Sequence, residues 1–185
     1  NGGFVRGNSK YMPGTHITPD ILENEAPFDR CPIFIRITGE QLRLGLEQMI
    51  SKEPPMASFP HVSKGIRIEC NLHRPSLSRI SSVQIAGEEV IDDKEYKIVC
   101  SDFYWENKGD GVDAFFDRPV LGQHNILIRQ LLKEFLIESK EICGSNPGRV
   151  VMVPKDQVVN TVSKSDASAA SLDALTQNTP EKVIV

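Results

Sequence analysis

The chain has 185 residues, 39% of them hydrophobic and 25% charged, with a formal net charge of −4. That balance gives one domain its own core, and an acidic chain is a poor binder of a phosphate backbone, so nucleic acid is not an expected partner. No apolar run approaches the roughly 20 residues that cross a bilayer, so no transmembrane segment is expected in this chain.

In chain order, Thr18-Pro19-Asp20 supplies an N-cap, a proline at the first helical position and an acid in the first turn, which predicts a short helix ending before Pro27. Residues 33–37 alternate around Phe34 and Arg36 as a strand. Thr38-Gly-Glu-Gln41 has the spacing of a capping box, and the helix it opens places Leu42, Leu46, Met49 and Ile50 on one face. The prolines of residues 52–58 stop that helix.

Ile66, Ile68 and Cys70 then alternate with Arg67 and Glu69 as a second strand, and residues 82–86 and 96–101 read as further strands, with turns at Gly87 and at Asp92-Asp93. From about residue 124 to 143 the spacing of Ile128, Leu131, Leu132, Phe135 and Ile142 is helical, with Gly144 suited to its end. Asn146-Pro-Gly148 turns into the apolar run 149–153. Strands interleaved with helices predict a mixed α/β domain over residues 1–153. Beyond it the aromatics vanish, and residues 154–185 are expected to be a low-complexity, disordered tail.

Cys31, Cys70, Cys100 and Cys143 show no C-x-x-C spacing and fall in or beside apolar segments, as buried thiols do. No Asn-x-Ser/Thr sequon occurs, which leans towards an intracellular protein, although an even number of cysteines leaves disulfides open. His16, His61, His73 and His124 are scattered, without the clustered Asp and His residues that bridge two metal ions. Metal ligands and catalytic residues are therefore not expected in this chain.

Three short signals carry chemistry: Asn1-Gly-Gly-Phe-Val-Arg6, Ala26-Pro-Phe28, and Asp102-Phe103 followed downstream by Gly109-Asp110-Gly111. An arginine fork pairs with phosphate oxygens, two aromatic rings sandwich a base, and a carboxylate accepts hydrogen bonds from ribose hydroxyls. Each also has a plainer reading, as a tight turn, a surface cation, a packing anchor or a turn dipeptide.

In this order and at these distances, and with Phe59-Pro-His-Val-Ser-Lys-Gly-Ile66 between them, the signals resemble the C-terminal domain of the 5′-nucleotidase family, which also includes 2′,3′-cyclic nucleotide phosphodiesterases and UDP-sugar hydrolases. The resemblance implies a layered α/β domain of the 5′-nucleotidase C-terminal type, covering about residues 1–153, that presents a nucleotide to two divalent metal ions. Those ions belong to an N-terminal metallophosphoesterase domain, the implied partner, which is not in this chain; the chain therefore reads as a fragment, inactive alone. The implied substrate-binding residues are Asn1, Gly3, Arg6, Phe28, Phe103 and Asp110. The 59–66 segment is read as structural, a loop docking the strand that follows.

Two positions depart from the family pattern. Phe4 stands where a third glycine is usual, and Arg30 where Asn is frequent; because Arg offers donors only, base preference does not carry over. The loop holding Asp110 is one residue longer than is usual. Counting back from Asp110 selects Tyr104 as the second base-stacking ring, whereas register along the preceding strand selects Phe103, which is the expectation preferred. The alternatives to a hydrolase's substrate-binding domain are a stand-alone nucleotide-binding module and a structural or interaction domain that has lost the site.

Overall fold

The computed structural model describes residues 3–7, 9–52, 57–142 and 148–153. Asn1, Cys143, Gly144 and the 154–185 segment lie outside the described residues.

The first helix, α1 (Pro19–Glu25), begins as its sequence predicts: the Thr18 hydroxyl accepts from the Ile21 N–H, and Pro19 occupies the first helical position. Strand β1 (Pro32–Thr38) follows, and Thr38 then caps α2 (Gly39–Met49). The capping box is complete, with the Gln41 N–H donating to Thr38 Oγ1 at 3.2 Å and the Thr38 N–H to Gln41 Oε1 at 3.0 Å. Two orphan donors of the helix start are thereby satisfied.

Two sheets form. In one, β1 lies between β5 (Glu95–Ser101) and β6 (Val120–Gln123), antiparallel to both. In the other, β2 (Ile66–Cys70) pairs antiparallel with β3 (Ile80–Ile85), which carries the two-residue β4 (Glu88–Glu89), and parallel with β7 (Val150–Met152). The parallel neighbour is reached only after α3 (Asp102–Asn107) and α4 (Ile128–Ser139), as a crossover requires.

One core joins the two sheets. Ile33, Ile35 and Ile37 of β1 meet Leu42, Leu46 and Met49 of α2, with Ile68 and Val83 from the second sheet and Tyr104, Val112 and Phe115 from the segment after β5. Gly45 of α2 is seated directly against the Phe115 ring, so any Cβ there would collide with it. Beneath α2, Glu47 is buried and accepts from the N–H groups of Arg79 and Ile80 at 3.0 and 2.7 Å. Arg79, buried as well, donates to the Ile50, Lys52 and Arg74 carbonyls. These bonds satisfy charges that burial would otherwise penalise.

The expected strand at 82–86 begins two residues earlier and ends one residue earlier, at Ile80–Ile85, and the expected helix from 124 is shorter, at Ile128–Ser139. No reading of the sequence anticipated β6, whose Val-Leu-Gly-Gln lacks alternation, or α3. The mixed α/β class holds.

Candidate functional site

The segment carrying Gly3 and Arg6 is tied down at its root and near its end. The Gly3 N–H donates to the Ala57 carbonyl at 2.6 Å and the Arg6 N–H to the Glu25 carbonyl at 2.8 Å. Glu25, the last residue of α1, also accepts from the Gly7 N–H at 2.7 Å and the Tyr11 hydroxyl at 2.8 Å. That bond to a carboxylate raises the Tyr11 pKa, since the phenol proton is shared with an acceptor it cannot easily leave. The exposed Arg6 guanidinium stacks on the Phe28 ring, 4.6 Å from its centroid.

Phe28 stands on a loop held by α4. Arg129 donates to the Ala26 carbonyl at 3.1 Å and to Asp29 Oδ1 at 2.7 Å, and the Ile128 N–H donates to the Arg30 carbonyl at 2.8 Å. Ala26 is buried, whereas Phe28 keeps 39% of its surface exposed. A ring so exposed, on a backbone so tied, is available to a flat partner. Arg129 had no signal in the sequence, because its partners lie about a hundred residues away.

On the other side, Phe103 belongs to α3 and not to the end of a strand as expected. Strand β5 stops at Ser101, whose hydroxyl caps α3 by accepting from the Phe103 N–H at 3.3 Å. Strand alternation therefore does not set the directions of these two rings; successive helical residues diverge by about 100°. Tyr104 turns into the core, 4% exposed, with its ring perpendicular to Phe115 at 6.3 Å. Phe103 is half-buried.

Asp102 fixes α3 against the strand on which the Phe28 loop ends. Its Oδ2 accepts from the Cys31 N–H at 3.0 Å, and its own N–H donates to the Cys31 carbonyl at 3.0 Å. Arg30 lies over the Phe103 ring, 5.0 Å from its centroid, with Asp102 and Glu106 each 3.8 Å from its Nη1. Gly109 is packed against the Cδ1, Cε1 and Cζ edge of that ring, where a Cβ would collide. Asp110 follows in a tight turn at φ 57°, and Lys108 before it stands at φ 49°. Two non-glycine residues in left-handed conformation so close together mark a constrained loop.

The residues singled out in the sequence thus form a chain of contacts. Arg6 lies on Phe28, Arg30 of the same loop reaches Phe103, and Phe103 abuts Gly109 beside Asp110. Gly3 sits at the foot of the Arg6 segment, and Asn1 lies outside the described residues. Open concavities of about 450 and 250 Å³ lie elsewhere, lined by residues such as Phe34 and His124 or Arg36 and Gln41, none of them in the predicted set.

The segment read as structural behaves as such: Pro60 is buried, the Val62 carbonyl accepts from Arg149 at 3.0 Å, and the Gly65 carbonyl accepts from the Ala86 N–H at 2.8 Å. Cys31, Cys70 and Cys100 are free thiols. Burial raises the pKa of all three, and Cys100, packed against the core with Asp102 nearby, is pushed up to about 12. Among the described residues no three His, Cys, Asp or Glu side chains are grouped to hold a metal ion, and no helix is long and apolar enough to cross a membrane.

Comparison with solved structures shows the fold elsewhere. A 5′-nucleotidase precursor from Thermus thermophilus superposes with a TM-score of 0.69 at 21% identity, over 75% of this chain and 28% of that one. A protein assigned as a 5′-nucleotidase from Staphylococcus aureus, solved with α-ketoglutarate, gives 0.58 at 22% identity, over 65% and 27%. The Thermus thermophilus sulfate thiohydrolase SoxB, solved with glycerol, gives 0.58 at 18% identity, over 78% and 26%. The chain spans about a quarter of the length of these proteins, and the last of them shows that the fold alone does not fix the substrate. No curated protein matches the chain. The model of the family described as 5′-nucleotidase, C-terminal domain, matches residues 1–117, well over half of the sequence. The chain belongs to the 5′-nucleotidase C-terminal domain family.

Proposed function

We propose that this chain is the nucleotide-holding part of a 5′-nucleotidase-type phosphohydrolase acting on nucleoside 5′-monophosphates or related nucleotides. The observation that carries the reading is the contiguity of the site: three separate parts of the sequence meet, with the Arg6 fork on the exposed Phe28 ring, Arg30 of the Phe28 loop over the second ring, Phe103, and Gly109, next to the Asp110 carboxylate, packed against that ring. Arg6 takes phosphate oxygens, Phe28 and the Phe103 side take the base, and Asp110 takes the ribose hydroxyls. Gly3 allows the backbone at the foot of the Arg6 segment to lie close to Ala57, and Asn1 belongs to the same segment.

Catalysis belongs to the N-terminal metallophosphoesterase domain of the family's enzymes. Two divalent ions there supply water activation and charge neutralisation. The contribution of this domain is position, since misplacing a reacting centre by about 1 Å costs on the order of 100-fold in rate.

The test is calorimetry of the chain with AMP and with adenosine, following Trp105 emission in parallel; Trp105 lies on α3 two residues from Phe103. The expected result is weak AMP binding, no phosphate release with added divalent metal, and a loss of about tenfold in AMP affinity in Arg6→Ala with adenosine hardly changed, as for a charged hydrogen bond of about 1.5 kcal/mol. Equal weakening of both ligands assigns Arg6 to the scaffold. A second reading, an interaction domain that has lost the site, is favoured by the arginine lying over each of the two rings. Silence in both heat and fluorescence at millimolar AMP selects it.

A further inference from the structure

Both candidate stacking rings are covered by a guanidinium, but the two covers differ. Arg6 is exposed, and the contact of its side chain among the described residues is the Phe28 ring. Arg30 is held over Phe103 by three partners at once: the ring at 5.0 Å, Asp102 at 3.8 Å and Glu106 at 3.8 Å. All three partners sit on α3, so they position the cation as a unit. Its backbone is fixed too, with the Arg30 N–H donating to the Phe28 carbonyl at 3.1 Å and its carbonyl accepting from Ile128 at 2.8 Å.

A base arriving beside Phe103 has two ways to stack. It displaces Arg30 and gives up a cation–π contact and two ion pairs, losses together comparable with the one stack it gains. Or it stacks on the outer face of the guanidinium, gives up nothing, and adds a cation–π contact of its own. The Arg30 side chain retains 29% of its exposure, which leaves surface for the second arrangement. Its side-chain N–H groups donate no hydrogen bond among the described residues, because both carboxylates stand at ion-pair and not hydrogen-bond distance.

We infer that Arg30 is the specificity-determining surface of the site: the base stacks on the guanidinium plane, in a layered order of Phe103, Arg30 and base, and not on the Phe103 ring itself. This rests on the nucleotide-binding reading above. The ligands it favours are purine nucleotides, whose larger π surface suits a planar cation better than that of a pyrimidine.

The experiment titrates the full chain with GMP, AMP and UMP by calorimetry, for the unsubstituted protein and for Arg30→Ala, Arg30→Lys, Phe103→Ala and Phe28→Ala, with urea midpoints to establish that each variant is folded. Expected are tighter binding of GMP and AMP than of UMP, and a loss of about tenfold for both purine nucleotides in both Arg30 variants, because Lys keeps the charge and lacks the plane. The Arg30 side-chain NMR signals should shift upfield on adding GMP, from the ring current of a base lying over them. Three results overturn the inference: tighter binding by Arg30→Ala, which makes Arg30 a plug; full affinity in Arg30→Lys, which makes it a charge only; or loss in Phe103→Ala without loss in Arg30→Ala, which puts the base on the ring. If Phe28→Ala weakens binding in any of these cases, nucleotide binding itself stands. If the unsubstituted chain binds none of the three nucleotides, the underlying reading fails as well.

Discussion

The two sides of the site are built in opposite ways. The Phe28 side is a loop secured from outside by polar ties: Glu25 holds the Arg6 segment, and Arg129 holds Ala26 and Asp29. The Phe103 side is an extension of the core, anchored by Tyr104 against Phe115, by Asp102 against Cys31 and by Gly109 under the ring. A surface held by hydrogen bonds adjusts at small cost, whereas one held by close packing moves only with the fold. The geometry therefore describes a rigid wall joined through Arg30 to an adjustable arm.

The largest effect that could break this contrast is Tyr104→Ala. Emptying a buried aromatic site costs about 3–5 kcal/mol, so the urea midpoint should fall sharply and the Phe103 side should go with it. A variant of near-native stability would show that the wall is not part of the core.

Alkaline pH probes the same wall. The Cys100 pKa stands at about 12 in the folded chain, above the value of roughly 8.5 expected when unfolded. The stabilisation from keeping that thiol neutral is complete below the unfolded value and is lost as pH rises towards the folded one. Between those limits stability should fall by on the order of 1 kcal/mol per pH unit. Chemical denaturation at pH 8, 9 and 10 should show the slope, and Cys100→Ala should remove part of it, the remainder coming from Cys70 and Cys31, whose pKa values are also raised. An unchanged slope in Cys100→Ala would place the alkaline sensitivity elsewhere.

The smallest global effect belongs to the arm. Arg129→Ala removes one bond to a backbone carbonyl, one to an exposed Asp29 and a loose ion pair with the exposed Glu23, together about 1–2 kcal/mol. Hydrogen exchange should accelerate around residues 26–30, and AMP affinity should drop, with the urea midpoint falling much less than in Tyr104→Ala. A large loss of global stability would mean that the arm, too, is part of the core.

Much of this was legible in the sequence because it is local. The capping box of Thr38 and Gln41, the proline-started α1 and the alternation in β1 and β2 depend on residues within one turn or one strand of each other, and each element formed where its pattern lay. Strand register selects Phe103 over Tyr104 for a reason that does not operate, because the two residues sit on a helix that the Ser101 hydroxyl caps where the strand ends. Helix α4 shows the same limit from the other direction. Its apolar spacing predicted the helix, but none of its side chains is buried, and its first turn instead ties down the Phe28 loop.

By itself the sequence determined the α/β alternation, the domain family and the chemical kinds of residue at the site, since each depends on residue identity and short spacing. Tertiary structure alone decided that Tyr104 is buried in the core while Phe103 stays half-buried at its edge, that Arg30 lies across Phe103, and that Arg129 secures the Phe28 loop. Those outcomes depend on groups about seventy to a hundred residues apart being brought within a few ångströms, and no local pattern encodes a distance of that kind.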